Sequence, residues 1–235
     1  MSVLHSTRFG MGLLALSVAL VCTSTQAAKI YPSQDVKLVS DHPDTPQWEN
    51  ALAVGYHETV PDQESRSLLQ FDVSSIEEDV EHVTLNMYFY LQTGSSHLLT
   101  ADVHRLTESW SEMSATWNSR DSSNDWSSPG GDFSSTAIAT TTLGSSTGTW
   151  QEWDVTDLVQ DWLAGTYTNH GLLVKSSEVA SQTWSAFYSS EYYVTTRRPY
   201  LDVTMLRLPE PSTLALVCIG ALSWFACARR RKRTG

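Results

Sequence analysis

The alternation of apolar and polar residues between Val83 and Leu91 restricts the fold more than any other feature of the sequence. Period-two alternation is typical of a β-strand with one buried face and one outer face. The apolar set is Val83, Leu85, Met87, Phe89 and Leu91, and the opposite set is Thr84, Asn86, Tyr88 and Tyr90. The segment therefore predicts a half-buried strand in a β-sheet.

Nine other segments have strand character and are separated by Gly, Pro, Asp and Ser. They cover residues 35–40, 50–55, 66–72, 98–106, 136–142, 150–154, 171–176, 183–188 and 200–206. Ten short strands predict an all-β fold, a two-sheet, jelly-roll-like sandwich. One short helix is expected at 155–165, where apolar residues recur at helical spacing. We expect Thr156 to cap this helix, Gly165 to follow it, and the helix to cover one end of the sandwich.

Two apolar segments flank the predicted strands. Residues 1–28 have the pattern of a secretory signal peptide, with an expected cut after Ala27 or Ala28. An apolar segment at about 212–228 precedes a basic end at 229–233, which predicts a C-terminal transmembrane helix with its basic end in the cytoplasm. The predicted organisation is a signal peptide (1–28), a β-sandwich (29–208) and a tail (209–235).

The predicted exported domain is more acidic than the whole chain, which has 15 Lys and Arg, 26 Asp and Glu and a net charge of −11. Residues 29–208 lack Arg8, the five basic residues of the tail and Glu210, so nine basic and 25 acidic residues remain and the net charge is −16. This acidity argues against nucleic-acid binding, which needs a basic surface. All three cysteines lie in the flanks, so the domain has neither a disulfide nor a cysteine-ligated metal.

The tail has three features in a fixed order. They are Pro209-Glu210-Pro211, the apolar segment, and a basic end that includes Arg229, Arg230 and Arg231. A simple membrane anchor would explain the last two, but the whole arrangement resembles the PEP-CTERM sorting signal of Gram-negative bacteria that make exopolysaccharide. The resemblance implies cleavage near Pro-Glu-Pro by an exosortase, a membrane-embedded cysteine transpeptidase. It also implies transient inner-membrane anchoring before transfer to the cell surface or extracellular matrix.

A second resemblance covers about residues 35–206. Its motifs, in order, are Arg66-Ser67-Leu68-Leu69-Gln70-Phe71-Asp72, Ser109-Trp110-Ser111-Glu112, Ala115-Thr116-Trp117-Asn118, Trp153-Asp154-Val155-Thr156, Val159-Gln160-Asp161-Trp162, Asn169-His170-Gly171-Leu172, Tyr188-Ser189-Ser190-Glu191 and Arg198-Pro199-Tyr200-Leu201. This set resembles the DNRLRE domain, which is related to disaggregatase-type modules. The resemblance implies a β-sandwich, and some members are carbohydrate-binding modules attached to polysaccharide lyases.

Aromatic residues are the main indication of ligand binding, because Trp and Tyr rings stack on the apolar faces of sugars. Four tryptophans belong to the motifs above and are predicted to pack inside the fold: Trp110, Trp117, Trp153 and Trp162. The candidate ligand-binding residues are Tyr88, Tyr90, Tyr192, Tyr193, Arg197 and Arg198. Alternatively, Arg198 pairs with a carboxylate and the two tyrosines before it cover a sheet edge.

No catalytic residue is predicted. Residues 144–148 formally match Gly-x-Ser-x-Gly, but that motif acts on a turn from a strand into a helix, and here a strand follows. The histidines lack zinc-binding spacing. No cofactor is expected, although a structural Ca²⁺ is left open, and Asp121, Asn124 and Asp125 lie together in one predicted loop.

The sequence therefore predicts an exported, non-enzymatic domain that binds or organises extracellular polysaccharide. A charge of −16 repels uronate polymers, whereas neutral glycans meet no such penalty. The alternative is a structural envelope or biofilm-matrix protein with protein partners, and a polysaccharide-degrading enzyme is a third hypothesis.

Overall fold

The fold is built from eleven strands and one α-helix. The computed structural model describes residues 24–47, 49–57, 63–76, 79–94, 98–144, 146–176, 183–207, 219–224 and 229. The strands are β1 Ser24–Ile30, β2 Pro32–Val39, β3 Ala51–Tyr56, β4 Glu64–Phe71, β5 Asp79–Thr93, β6 Leu99–Arg105, β7 Ala139–Leu143, β8 Thr149–Asp154, β9 Leu172–Ser176, β10 Trp184–Tyr188 and β11 Tyr200–Arg207. All ten predicted strands are present, so the all-β prediction is confirmed, and β1 is additional.

All eleven strands belong to one curled, hydrogen-bonded sheet. Its order is β1-β11-β5-β10-β3-β4-β9-β6-β7, with β2 beside β4 and β8 beside β5. We predicted two separate sheets, but β3 pairs antiparallel with β10 on one side and with β4 on the other. Where the curl brings β7 and β8 together, the Thr141 hydroxyl donates to the Glu152 carbonyl at 2.6 Å.

The main apolar core lies inside this curl. Val83, Leu85, Met87 and Phe89 of β5 are fully buried there, as their alternation predicts. Leu91 differs, with 39% of its surface exposed. The register between β5 and β10 shifts just before this residue, and such a bulge redirects the side chains beyond it.

A smaller core lies on the opposite face of β2, β4 and β9. The segment between β6 and β7 covers this face, and its Trp110 and Trp126 pack against Leu38, Leu68 and Leu173. The predicted packing role of the motif tryptophans is confirmed, since Trp110, Trp153 and Trp162 are buried and Trp117 packs against this second core.

Arg66 ties the covering segment to the sheet. Its guanidinium donates to the Glu64 carboxylate at 2.6 Å and to the Gly130 carbonyl at 2.9 Å. The same group lies over the rings of Trp117 and Phe133. A buried cation is stable only when it is paired and hydrogen-bonded in this way.

Helix α1, Thr156–Leu163, covers part of the main core with Leu158, Val159 and Trp162. The predicted cap was wrong, because Val155 precedes the first turn and makes no side-chain cap. The Thr156 hydroxyl instead accepts from the Val83 amide of β5 at 2.9 Å. Gly165 does follow the helix, with a φ of +72° that favours glycine.

Residues Thr25–Arg207 form one compact unit. Of the predicted signal peptide, residues 1–23 lie outside the described ranges, and residues 24–28 belong to β1, so the predicted cut falls inside that strand. Pro209, Glu210, Pro211, Arg230 and Arg231 also lie outside those ranges. No helix in the described part of the chain is long and apolar enough to span a membrane.

Candidate ligand-binding cleft

Near-parallel tyrosine rings cover part of the outer face of β5 and β10. Tyr88 and Tyr90 come from β5, and Tyr188 comes from β10. The centroid of the Tyr188 ring lies 4.3 Å from that of Tyr90 and 5.7 Å from that of Tyr88, with interplanar angles of 6° and 18°. Alternation places these side chains outside because their neighbours Phe89 and Phe187 point into the core.

The loop between β10 and β11 adds Tyr192 to this group. The Tyr192 ring stacks on Tyr188 with centroids 3.5 Å apart. The Tyr192 amide donates to the Ser189 carbonyl at 3.2 Å, and its carbonyl accepts from the Arg198 guanidinium at 2.8 Å. Hydrogen bonds to both the amide and the carbonyl of Tyr192 therefore fix the backbone of the loop at this residue.

The rings of Tyr90, Tyr188 and Tyr192 form one wall of an open cleft of about 570 Å³. The cleft is lined by Glu49, Asn50, Ala51, Tyr90, Tyr188, Glu191 and Tyr192. Three of these side chains offer carboxylate or amide oxygens in the same cleft as the aromatic rings. A sugar ring presents hydroxyls that can bind such oxygens and an apolar face that can pack on such rings. We call this feature the tyrosine cleft.

The hydroxyls of Tyr90 and Tyr192 remain protonated at neutral pH, because the pKa of each is raised. Burial raises the pKa of Tyr90, and the neighbouring Tyr188 and Glu49 raise it further. Hydrogen bonds with Tyr188 and Tyr193 raise the pKa of Tyr192. Protonated hydroxyls both donate and accept hydrogen bonds, as recognition of sugar hydroxyls requires.

The aromatic surface continues beyond the cleft toward β8 and β11. Trp150 packs edge-on against both Tyr88 and Tyr200, with ring centroids 5.3 and 5.1 Å apart. The Lys29 ammonium lies 3.8 Å from the Tyr200 ring centroid, and the Arg197 guanidinium lies 4.9 Å from that of Tyr88. The basic groups of this surface thus lie beside the cleft, over tyrosine rings.

Five of the six candidate ligand residues come together at this surface: Tyr88, Tyr90, Tyr192, Tyr193 and Arg197. Tyr193 is 79% exposed. Arg198 instead supports the loop, through a backbone carbonyl rather than the carboxylate that we considered. Sequence reasoning missed Tyr188, Glu49 and Glu191. Alternation within β10 signals that Tyr188 is on an outer face, but only the pairing of β10 with β5 places it beside Tyr90.

A cluster of three carboxylates lies next to the cleft. Asp35, Glu112 and Glu191 each have a carboxylate oxygen within 4.8 Å of the others. Glu191 belongs to both the cluster and the cleft. Glu112 and Glu191 each end one of the motifs given above, but the three residues come from β2, the segment between β6 and β7, and the loop after β10. No single local motif therefore indicates the cluster.

The loop that we considered for Ca²⁺ satisfies its carboxylates internally. Asp121 accepts from the Ser123 and Asn124 amides at 2.8 and 2.9 Å. Asp125 accepts from the Ser119 hydroxyl at 2.6 Å. These contacts explain the loop as a turn stabilised by aspartate side chains.

Another cleft, of about 450 Å³, follows the line where β7 and β8 meet. Its lining is mainly polar, and its one aromatic residue, Trp153, is buried in the main core. It therefore lacks the half-buried tyrosine rings of the tyrosine cleft, which is the better candidate for sugar binding.

The fold and the cleft together define an all-β domain with an open aromatic cleft on the outer face of its sheet. Residues 35–203 match the disaggregatase related repeat domain, so the chain belongs to this family. Residues 208–232 match the PEP-CTERM protein-sorting motif, which marks the chain as exported. Neither match is to a catalytic family. No curated protein matches the sequence.

Proposed function

We propose that the exported domain binds extracellular polysaccharide in the tyrosine cleft without cleaving it. The observation that supports this most is that the rings of Tyr90, Tyr188 and Tyr192 line one cleft together with the polar side chains of Glu49 and Asn50. Stacking supplies affinity for the apolar face of a sugar, while polar groups orient its hydroxyls.

The charge of the cleft favours neutral or amino sugars over uronates. Glu49 and Glu191 both line it, and the predicted exported domain has a net charge of −16. Lys37 lies 3.9 Å from Glu49 and offsets one of these charges. An anionic chain would have to overcome repulsion both at long range and inside the cleft.

We further propose that an exosortase processes the tail. The PEP-CTERM match supports this step. In this proposal the apolar segment at about 212–228 holds the protein in the inner membrane beside the enzyme, and processing transfers the domain to the cell surface or matrix. Mass spectrometry of the secreted protein tests the step, and an intact Arg-rich terminus on the mature form would refute it.

Affinity electrophoresis tests the binding proposal. The purified full-length protein, in mild detergent, is run in gels that contain the exopolysaccharide of the bacterium that makes it, or neutral, amino or uronate polymers. We expect retardation by neutral or amino-sugar polymers. Tyr90→Ala removes one ring of the wall and should weaken binding about tenfold, the usual effect of truncating a central aromatic contact.

Tyr167→Ala is the matched control, because Tyr167 is also a surface tyrosine but lines a different cleft. The Arg105 guanidinium lies 4.0 Å from the centroid of its ring. It should leave the retardation unchanged. Migration unaffected by every polymer would favour the structural role with protein partners. Release of reducing ends or unsaturated uronates would support the enzymatic hypothesis instead.

A further inference from the structure

The buried carboxylate of Asp35 has an oxygen without a partner. Asp35 lies on β2 with 1% of its surface exposed. One of its oxygens, Oδ2, accepts from the Ser190 amide at 2.8 Å. The other, Oδ1, has no hydrogen-bond partner among the residues that the structure describes. A buried charged oxygen in this state is costly unless something else binds it.

Two further carboxylates converge on Asp35 from distant parts of the chain. Glu112 accepts a long hydrogen bond from the Asp35 amide at 3.4 Å, and Glu191 accepts from the Ser190 hydroxyl at 2.5 Å. Within the described ranges, no basic side chain forms an ion pair with any of the three. The cluster brings up to three negative charges together without a compensating cation.

Burial and mutual repulsion both oppose the ionisation of Asp35 and Glu112. Burial, and next the charge of Glu191, raise the pKa of Asp35 well above its usual range. Burial also raises the pKa of Glu112. A cation at the cluster would stabilise the ionised forms.

We propose that Asp35, Glu112 and Glu191 bind one Ca²⁺ ion. Their oxygens lie within 4.8 Å of one another, and two ligands of one Ca²⁺, each bound at about 2.3–2.6 Å, lie at most about 5 Å apart. Mg²⁺ demands near-ideal octahedral geometry and usually keeps several waters, and Zn²⁺ prefers nitrogen and sulfur ligands, so Ca²⁺ fits an all-carboxylate cluster best. Glu191 is exposed, so the ion can enter from the solvent.

The proposed ion would connect three parts of the fold. Asp35 belongs to β2, Glu112 to the segment that covers the second core, and Glu191 to the loop that carries Tyr192. Binding would therefore fix this loop, and with it one ring of the tyrosine cleft. This last consequence rests on the proposed function, whereas the metal site itself does not.

Calorimetry and thermal unfolding test the site without any glycan. The full-length protein, freed of metal with EDTA and dialysed, is titrated with CaCl₂ and separately with MgCl₂. We expect one equivalent of Ca²⁺ to bind with a Kd of about 10⁻³ M or below, and Mg²⁺ to bind more weakly. At a hundredfold excess over Kd, Ca²⁺ should raise the Tm by about 5 to 10 °C.

Glu191→Gln and Asp35→Asn are the test variants, and Asp121→Asn is the matched control. Glu191→Gln changes an exposed residue, so it tests the site even if Asp35→Asn fails to fold. Each should weaken Ca²⁺ binding at least about tenfold. Substitution of residues that only hydrogen-bond to metal ligands already lowers metal affinity about 10–100-fold, and these variants change the ligands themselves. Absence of Ca²⁺ binding to the wild-type protein would refute the proposal, as would Ca²⁺ binding that Asp121→Asn removes and Glu191→Gln retains.

Discussion

Replacing Arg66 by alanine should destabilise the fold more than any change to a surface arginine. Arg66 is 7% exposed and its partner Glu64 is 8% exposed. Truncation removes the 2.6 Å contact with Glu64 and the 2.9 Å contact with the Gly130 carbonyl. The Glu64 carboxylate then stays buried without its cation, and breaking a buried pair in this way costs about 3–5 kcal/mol.

The loss is large compared with the total stability of a domain, which is about 5–15 kcal/mol. For a domain of this size, about 2–4 °C of Tm corresponds to each kcal/mol. Arg66→Ala should therefore lower the Tm by roughly 6–20 °C, measured by near-ultraviolet circular dichroism. Because Trp117 packs beside Arg66, tryptophan fluorescence should change in the same transition.

Arg120→Ala is the control for Arg66→Ala. Arg120 is partly exposed, lies 3.7 Å from Asp121 and donates to the Ser109 carbonyl at 3.0 Å. Its loss should cost about 1–2 kcal/mol, because an ion pair near the surface contributes about 0–1 kcal/mol and one hydrogen bond about 1 kcal/mol. The double change of Arg66→Met with Glu64→Leu should cost less than Arg66→Ala, because it removes the buried Glu64 carboxylate together with the guanidinium. Equal, small losses for Arg66→Ala and Arg120→Ala would refute the proposed tie between the covering segment and the sheet.

Two other predictions concern stability. Gly171→Ala should lower the free energy of unfolding by about 2–4 kcal/mol in chemical denaturation, because its φ is +92° and a Cβ would clash with the Leu69 carbonyl oxygen. Gly165→Ala, where φ is +72° and the space around the Cβ is open, should lower it by only about 1–2 kcal/mol. Equal losses for the two substitutions would contradict this prediction. Burial lowers the pKa of His104 below 6.5, with Lys175 lowering it and Asp102 raising it. Unfolding therefore takes up a proton, and stability should fall as the pH drops below about 6.5 and through the lowered pKa. His104→Gln should flatten this part of the pH profile of Tm, and an unchanged profile would show that His104 is not responsible.

The alternation in the sequence was enough to predict the strands but not their arrangement. The spacing of apolar residues from Val83 to Phe89 follows directly from burial of one face, so it predicted both β5 and its orientation. The single curled sheet depends on β3 pairing with two strands at once. This pairing joins segments that are distant in the sequence, so no local pattern of residues indicates it.

The candidate site shows the same limit. Tyr88 and Tyr90 were predictable from the outer positions of β5, and Tyr192 from its basic and aromatic loop. Tyr188 and the carboxylate cluster were not, because their neighbours come from distant segments. The capping role predicted for Thr156 was wrong, because its hydroxyl makes a tertiary contact instead, in which it accepts a hydrogen bond from the Val83 amide.

The tyrosine cleft is tested most directly by the affinity of the full-length protein for a neutral or amino-sugar oligosaccharide that retards it in gels. Isothermal titration should be made with the wild-type protein, with Tyr90→Ala combined with Tyr192→Ala, and with Tyr167→Ala. We predict a Kd raised about tenfold or more by the paired change, with circular dichroism and Tm close to wild type, and a Kd unchanged by Tyr167→Ala. Equal affinity for all three proteins would contradict sugar binding in the tyrosine cleft.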